Sequence, residues 1–259
     1  WMYKALFDAA RITLVTLGKQ RLGTTDAAPV LGVTAVLHTW TKELHLHPHL
    51  HCVVTAGGFD RDSGRWFPSK SRFLFPVALM RDLFRSTLLR HLKAAVAAGD
   101  VQLVGRAASL AAPGAFDRLV NALYRIKWVV YAKKPFAGST QVFKYLGRYT
   151  HRVAVADSSL LSVTPTQVEI RTRGDGRARM TPAQFIQRFL LHMLPQGFHK
   201  IRHFGLYSPA YAKHRDAIMQ KLPTSRHTHT PAAVAQNHVD DWQSLLLRVT
   251  GVDIRQCPH

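Results

Sequence analysis

Between Glu43 and Val54 the chain reads ELHLHPHLHCVV, with a histidine at every second position (His45, His47, His49 and His51) running straight into apolar, β-branched residues. A period of two is the period of a strand, on which alternate side chains share a face. The stretch therefore puts its imidazoles together only as part of a sheet. Pro48 makes regular pairing doubtful ahead of His49, so His49 and His51, which flank Leu50, are the securest pair. Two imidazoles a few ångströms apart suit a divalent cation better than a core; the alternative is a polar strand face or a histidine-rich surface loop. A cation needs at least one more protein ligand. LGVTAVLHTW, residues 31–40, also has the composition of a strand. Antiparallel pairing of the two would set His38 beside the histidines, which makes His38 the expected third ligand; otherwise it is an ordinary surface histidine.

Periodicity organises the rest. The chain opens in a helical pattern, WMYKALFDAARITL, so that Trp1 already lies inside an element, as in a piece of a longer protein. Residues 76–99 carry apolar residues at three- and four-residue spacing with Arg and Lys between them, which predicts an amphipathic helix ended by Gly99. AFDRLVNALYRI repeats that pattern, KWVVYAKKPF predicts a strand, and STQVFKYLGRYTHR predicts a helix with Gly147 inside it. RVAVAD and QVEIRTR are short strand candidates. TPAQFIQRFLLHML predicts a helix with Pro182 at its first position, and FHKIRHFGLY a basic strand. The expected class is α+β, with a central antiparallel sheet and flanking helices. The expected division is an N-terminal helical segment over 1–30, a main domain over 31–215 and a polar tail over 216–259.

Charge narrows the partner. Lys and Arg number 35 against 15 Asp and Glu, a formal net charge of +20. A compact state with that self-repulsion gains from a polyanion, and nucleic acid is the leading candidate. The two cysteines, Cys52 and Cys257, give no disulfide framework and suit a reducing cytoplasm. No apolar run approaches the roughly 18 residues that span a bilayer, so no membrane partner is expected.

The second constellation is YLGRYTHR. Tyr145 and Tyr149, four apart, share one helix face about 6 Å apart in rise. Such a pair is commonly core packing, but here Lys144, Arg148, His151 and Arg152 crowd the same helix, a poor setting for a core face and a good one for a phosphodiester. A phenol, with an ordinary pKa of about 10, becomes a nucleophile at neutral pH only where a cationic setting or a base favours the phenolate. Lys133, Lys134, Lys200 and Arg202 are further candidates for contacts to a DNA backbone. Trp40, Trp128 and Phe204 could stack bases, or simply pack in the core.

LHTW followed by HPHLHCVV, then WVVYAKKPF, YLGRYTHRVAV and FLLHMLPQGFHKIRHFGL, in this order between about residues 31 and 211, resemble the two-tyrosine transposases of the insertion sequence 91 family. These are HUH nucleases, named for a His-hydrophobe-His motif that His49–Leu50–His51 matches. The resemblance implies a rolling-circle-initiator-like fold, with the histidine strand central and the tyrosine helix packed across it. It implies His49 and His51 as metal ligands, magnesium or manganese as the metal, and Tyr145 and Tyr149 as nucleophiles. They would nick single-stranded DNA, or the hairpin end of a mobile element, through a 5′-phosphotyrosine intermediate in a bacterial, nucleoid-associated cytoplasmic setting. His38 as third ligand comes from the strand layout alone. Relatives usually carry an N-terminal cysteine-rich zinc-binding region that is not seen in this stretch, which puts recognition of the element end in doubt. The chemistry leaves two alternatives open, a rolling-circle replication initiator or relaxase, and a DNA-binding remnant without catalysis. A zinc hydrolase is disfavoured because Glu43 is the one acidic residue near the histidine run.

Overall fold

The computed structural model describes residues 1–24, 26–69, 74–136, 138–150, 155–214, and residues 218 and 220; the side chains of residues 148, 149, 213 and 214 fall outside that description. Helix α1 (Met2–Leu22) precedes strands β1 (Val30–Trp40), β2 (Leu46–Asp60) and β3 (Arg65–Pro68). Helices α2 (Val77–Ala97), α3 (Ala115–Arg125) and α4 (Ser139–Thr150) follow. Strands β4 (Leu160–Val163), β5 (Val168–Arg171) and β6 (Arg177–Met180), helix α5 (Pro182–Leu190) and strand β7 (Ile201–Gly205) complete the order. Contacts divide the chain into Trp1–Leu222 and Pro223–His259, and the second unit, with nearly all of the expected tail, lies outside the described residues.

The expected α+β class with an antiparallel sheet and flanking helices is what the chain adopts. The main sheet has the order β3-β2-β1-β7, and every neighbouring pair is antiparallel. Its two faces differ because the β1–β2 register pairs odd residues of β1 with even residues of β2: Val33 with Val54, Ala35 with Cys52, Leu37 with Leu50. These residues face α1 and α2. Ala35 and Leu37 are buried against Ala5, Leu6, Phe7 and Ala9 of α1 and Leu88 of α2, while Leu31 and Val33 pack with Leu14, Leu17 and Phe75. Burying a large apolar side chain contributes about 1.5–3 kcal/mol, so this helix-covered face holds the sheet in place. Even residues of β1 and odd residues of β2 lie on the other face.

Pro48 does not end its strand. Between the pairs His38–His49 and Trp40–Leu46 the register shifts, with one residue of β1 set against two of β2, His47 and Pro48. Proline has no N–H to donate to a ladder and is tolerated at such a bulge.

The smaller sheet, β4-β5-β6, buries Val168, Ile170 and Met180 against Leu44 in the β1–β2 connection. Helix α5 starts with a capping box in which the Thr181 hydroxyl accepts from the Gln184 backbone N–H at 3.2 Å and the Gln184 side chain accepts from the Thr181 N–H at 3.1 Å.

Three expectations need correction. KWVVYAKKPF forms no strand: residues 127–136 are irregular. The Trp128 indole N–H instead donates to the Leu123 carbonyl at 2.9 Å and its ring packs edge-on to Phe84, which ties the segment to helices, while Val129 and Tyr131 project into solvent. Strand propensity needs a paired edge, and this run has none. RVAVAD is no strand either over its described residues: Val155 and Ala156 are irregular, Asp157 opens a 3₁₀ turn, and β4 begins only at Leu160; residues 152–154 lie outside the description. The apolar stripe of FLLHML overstates α5, which stops at Leu190, with His192 in the turn beyond it.

β7 ends at Gly205, whose φ of +58° lies in the left-handed region and whose missing Cβ would collide with the Leu31 carbonyl oxygen. Gly205→Ala combines strain with overpacking and should destabilise the protein by about 2 kcal/mol or more, read as a lower urea midpoint with an unchanged slope.

Candidate functional site

On the face of the main sheet away from α1 and α2 the register places His38 directly opposite His49, with Val36 opposite His51; His38 and Val36 are both buried there. The three rings touch: centroids are 5.6 Å apart for His38–His49, 4.7 Å for His38–His51 and 5.0 Å for His49–His51. One ring nitrogen from each lies within 4.8 Å of the others, close enough for a single cation to take all three. His45 and His47 are exposed and outside this cluster. The bulge gives His47 a different use. Its carbonyl accepts from His49 Nδ1 at 2.7 Å. A carbonyl only accepts, so Nδ1 carries the hydrogen and Nε2 keeps its lone pair, the tautomer a ligand needs.

Burial shapes the protonation of the cluster. Desolvation pushes His51 down to about 4, helped by the nearby imidazoles of His38 and His49 and the ammonium of Lys133. His49 is lowered chiefly by desolvation as well. Both rings are neutral at pH 7, with lone pairs available. Neutral imidazoles, a fixed tautomer at His49 and a half-buried pocket fit a divalent cation.

Helix α4 packs against β1 and delivers Tyr145 to the same point. Its hydroxyl is 3.1 Å from His51 Nδ1, and its ring lies 5.3 Å from that of Phe136. This contact engages His51 Nδ1. Tyr149 is on the same helix, one turn on, but its side chain, like that of Arg148, lies outside the described residues, as do His151 and Arg152. Lys144 is exposed on α4. Lys133 and Lys134 line a surface groove of about 480 Å³ with Tyr131, Phe136 and Gln141.

Other expected contacts are elsewhere. Arg202 pairs in register with Ala35, on the helix-covered face, and its guanidinium lies 4.4 Å over the Phe7 ring and 5.4 Å from that of Phe198. Lys200 precedes β7, where its carbonyl accepts from the Leu37 N–H at 2.8 Å. Phe204 and Trp128 pack on the core clusters. Trp40 stacks on His38, with ring centroids 4.6 Å apart and planes 19° from parallel, and so fixes the plane of that ring.

Two further histidines make contacts that sequence reasoning missed. His192 is 3% exposed; its Nε2–H donates to the Leu44 carbonyl at 3.2 Å and its Nδ1 accepts from the Thr39 hydroxyl at 3.2 Å. It thereby holds Leu44, whose φ of +60° is unusual for a side chain of this kind, in the connection between the two strands that carry His38, His49 and His51. Its neighbours Leu190, Leu191 and Met193 are exposed while His192 is buried, so the apolar stripe FLLHML gave no signal of it. His203, on the same face of the sheet as the cluster, meets the Thr34 hydroxyl at 3.0 Å.

The family described as "Putative transposase" (Y2_Tnp) matches residues 32–215. "Putative transposase y4qJ" of Sinorhizobium fredii (strain NBRC 101917 / NGR234) is 39% identical over 270 residues, covering 99% of this chain and 65% of that protein. "Transposase for insertion sequence element IS801" of Pseudomonas savastanoi pv. phaseolicola is 26% identical over 259 residues, covering 95% of this chain and 60% of that protein. The chain thus spans somewhat less than two thirds of the curated relatives it matches. No solved structure matches it. Among the described residues no helix is long and apolar enough to cross a membrane.

Protonation and metal binding give two checks. The unfolded chain takes up a proton at His51 as pH falls through about 6.5, whereas the folded protein does so only near 4. The metal-free protein should therefore lose stability as pH falls across that window. His51→Asn should flatten the loss between pH 7 and pH 5, read from urea midpoints. Manganese at a hundredfold excess over its Kd should stabilise the unaltered protein by about 2.7 kcal/mol and leave a His38→Ala, His49→Ala, His51→Ala variant unmoved in the same melts.

Proposed function

The chain belongs to the Y2_Tnp transposase family, which is the insertion sequence 91 family, and from that premise we propose that it nicks and rejoins single-stranded DNA through a covalent tyrosine intermediate. The observation that carries the reading is the 3.1 Å contact between the Tyr145 hydroxyl and His51 of the histidine cluster. It brings a nucleophile and a cation site to one point.

His38, His49 and His51 would hold the divalent cation, manganese suiting imidazole better than magnesium does. When bound, it supplies Lewis-acid polarisation of a phosphate oxygen. The chain's own residues do the rest. Tyr145 Oη attacks the phosphorus of a DNA phosphodiester, the bond from phosphorus to the 3′ oxygen breaks, and a 5′-phosphotyrosine forms. The net proton passes from the phenol to the departing 3′ oxygen, which leaves as a hydroxyl. Because one phosphodiester is exchanged for another, the link is conserved and no nucleoside triphosphate is needed. With the proton on Nδ1, His51 donates to the tyrosine oxygen and favours its phenolate form. Lys133, close enough to bear on His51, offsets charge on the phosphate, and Lys134 and Lys144 extend the cationic path. The groove at Tyr131 and Phe136 can receive a base of the flanking strand. Tyr149, one turn along α4, is assigned the second attack, with Arg148, His151 and Arg152 as backbone contacts on that side. Rolling-circle transposition from the end of a mobile element is the biological setting this chemistry serves.

The test uses a labelled single-stranded oligonucleotide carrying an element end, with manganese, run on a denaturing gel. A protein–DNA adduct is expected, attached to the 5′ end of the downstream fragment. Tyr145→Phe combined with Tyr149→Phe should lower its yield about a thousandfold or more while affinity for the oligonucleotide persists. Undiminished adduct in that variant would overturn the assignment, and binding without any adduct from the unaltered protein would favour a DNA-binding remnant.

A further inference from the structure

The β5–β6 ribbon takes no part in the site described above. It has two unlike faces. Val168, Ile170 and Met180 are buried against Leu44, which fastens the ribbon to the connection between the strands that carry the histidine cluster. The alternate positions hold Glu169, Arg171, Arg177 and Arg179. In register, Glu169 is opposite Arg179 and Arg171 is directly opposite Arg177.

Three guanidinium groups thus share this face with one carboxylate. Glu169 Oε1 accepts from Arg179 Nε at 3.0 Å and lies 3.7 Å from Arg177 Nη1, so it is divided between two arginines that are themselves 66% and 60% exposed. Arg171 has no ion pair among the described residues. The turn that joins the strands adds Arg173 and Asp175, whose charges cancel. It is closed by the Thr172 N–H donating to the Gly176 carbonyl at 2.8 Å, with Gly174 at a φ of +64°.

Like charges directly across a ladder destabilise the pair, so Arg171, placed opposite Arg177 and without an ion pair among the described residues, does not serve the ribbon's own stability. The two arginines suit an anion that sits between the strands. Guanidinium forks match phosphate oxygens in pairs. The outward positions of β5 and β6 hold no aromatic side chain on which a base could stack, which points to a backbone rather than to an unpaired strand.

We propose that the β5–β6 ribbon grips the phosphate backbone of duplex DNA flanking the single-stranded segment cut at the histidine cluster, with Arg171 and Arg177 as the principal contacts. The inference rests on the preceding reading for its substrate. It adds a second DNA-binding surface that separates paired from unpaired substrate.

The test uses the full chain and two fluorescent oligonucleotides, a bare single strand and the same strand extended by a duplex stem. Arg171→Ser with Arg177→Ser should lower affinity for the stem-bearing oligonucleotide about tenfold and reduce the salt slope on it by about 1.8, the value for two phosphate contacts. Affinity and adduct yield on the bare strand should stay as they were. The melting temperature should hold, because removal of the opposed charges offsets loss of the 3.7 Å contact between Arg177 and Glu169 while Arg179 keeps its own, an outcome that a merely structural role for the pair does not produce. Unchanged affinity and slope on the stem would overturn the proposal, and so would an equal loss on both oligonucleotides. If the double variant melts early, Arg171→Ser alone, which leaves both contacts of Glu169 in place, decides the matter with a slope change of about 0.9 or none. Absence of any adduct from the unaltered protein would count against the nicking reading, whereas the stem-dependent salt slope is read from binding alone.

Discussion

The antiparallel pairing of β1 with β2 is the constraint on which the rest of the site depends. Because side chains alternate across a strand, the register that sets Leu37 against Leu50 on the helix-covered face also sets His38 against His49 on the other. A slip by one residue would exchange the faces, exposing the apolar row and burying imidazoles under α1 and α2. The hydrophobic core therefore specifies the position of the histidine cluster, and α1 and α2, although remote from the chemistry, support it through Phe7, Leu88 and their neighbours.

Electrostatics on the histidine face follows from partial burial among cations. Desolvation is the main reason that His49 and His51 remain neutral where a solvent-exposed histidine would begin to protonate, and at His51 the neighbouring imidazoles of His38 and His49 and the ammonium of Lys133 add to it. Neutral rings can ligate; charged ones cannot. Under the proposed function, the Lys133 ammonium beside His51 would also attract a phosphate.

Around that centre, supporting contacts restrict motion. Trp40 stacks on His38, the His47 carbonyl orients His49, and His192 ties Leu44 and Thr39 together behind the connection between the strands. Leu44 is also the anchor of the smaller sheet, so a single buried residue links the ribbon of arginines to the strands that carry the histidine cluster. Local irregularity has a use here: the bulge at Pro48 frees the carbonyl that fixes the His49 tautomer.

The strands 31–40 and 49–59, the helices at 76–99 and 115–126, and the helix carrying the tyrosines were legible from periodicity, because amphipathic patterns of 2.0 and 3.6 residues are written locally. The pairing of His38 with His49 could also be argued from two adjacent strands joined by a short connection. KWVVYAKKPF could not be read correctly, since β-branched residues form a strand only where an edge accepts them, and Trp128 finds helices instead. His192 was hidden for a related reason: a buried histidine is recognised by its partners, Leu44 and Thr39, which lie about 150 residues away in sequence. What the amino-acid order alone determined was which faces are apolar, which side chains carry charge and which could ligate. The tertiary structure decided the approach of Tyr145 to His51, the turning of Arg202 toward Phe7 and the opposition of Arg171 to Arg177. Those contacts are distances between elements, and no local periodicity encodes them.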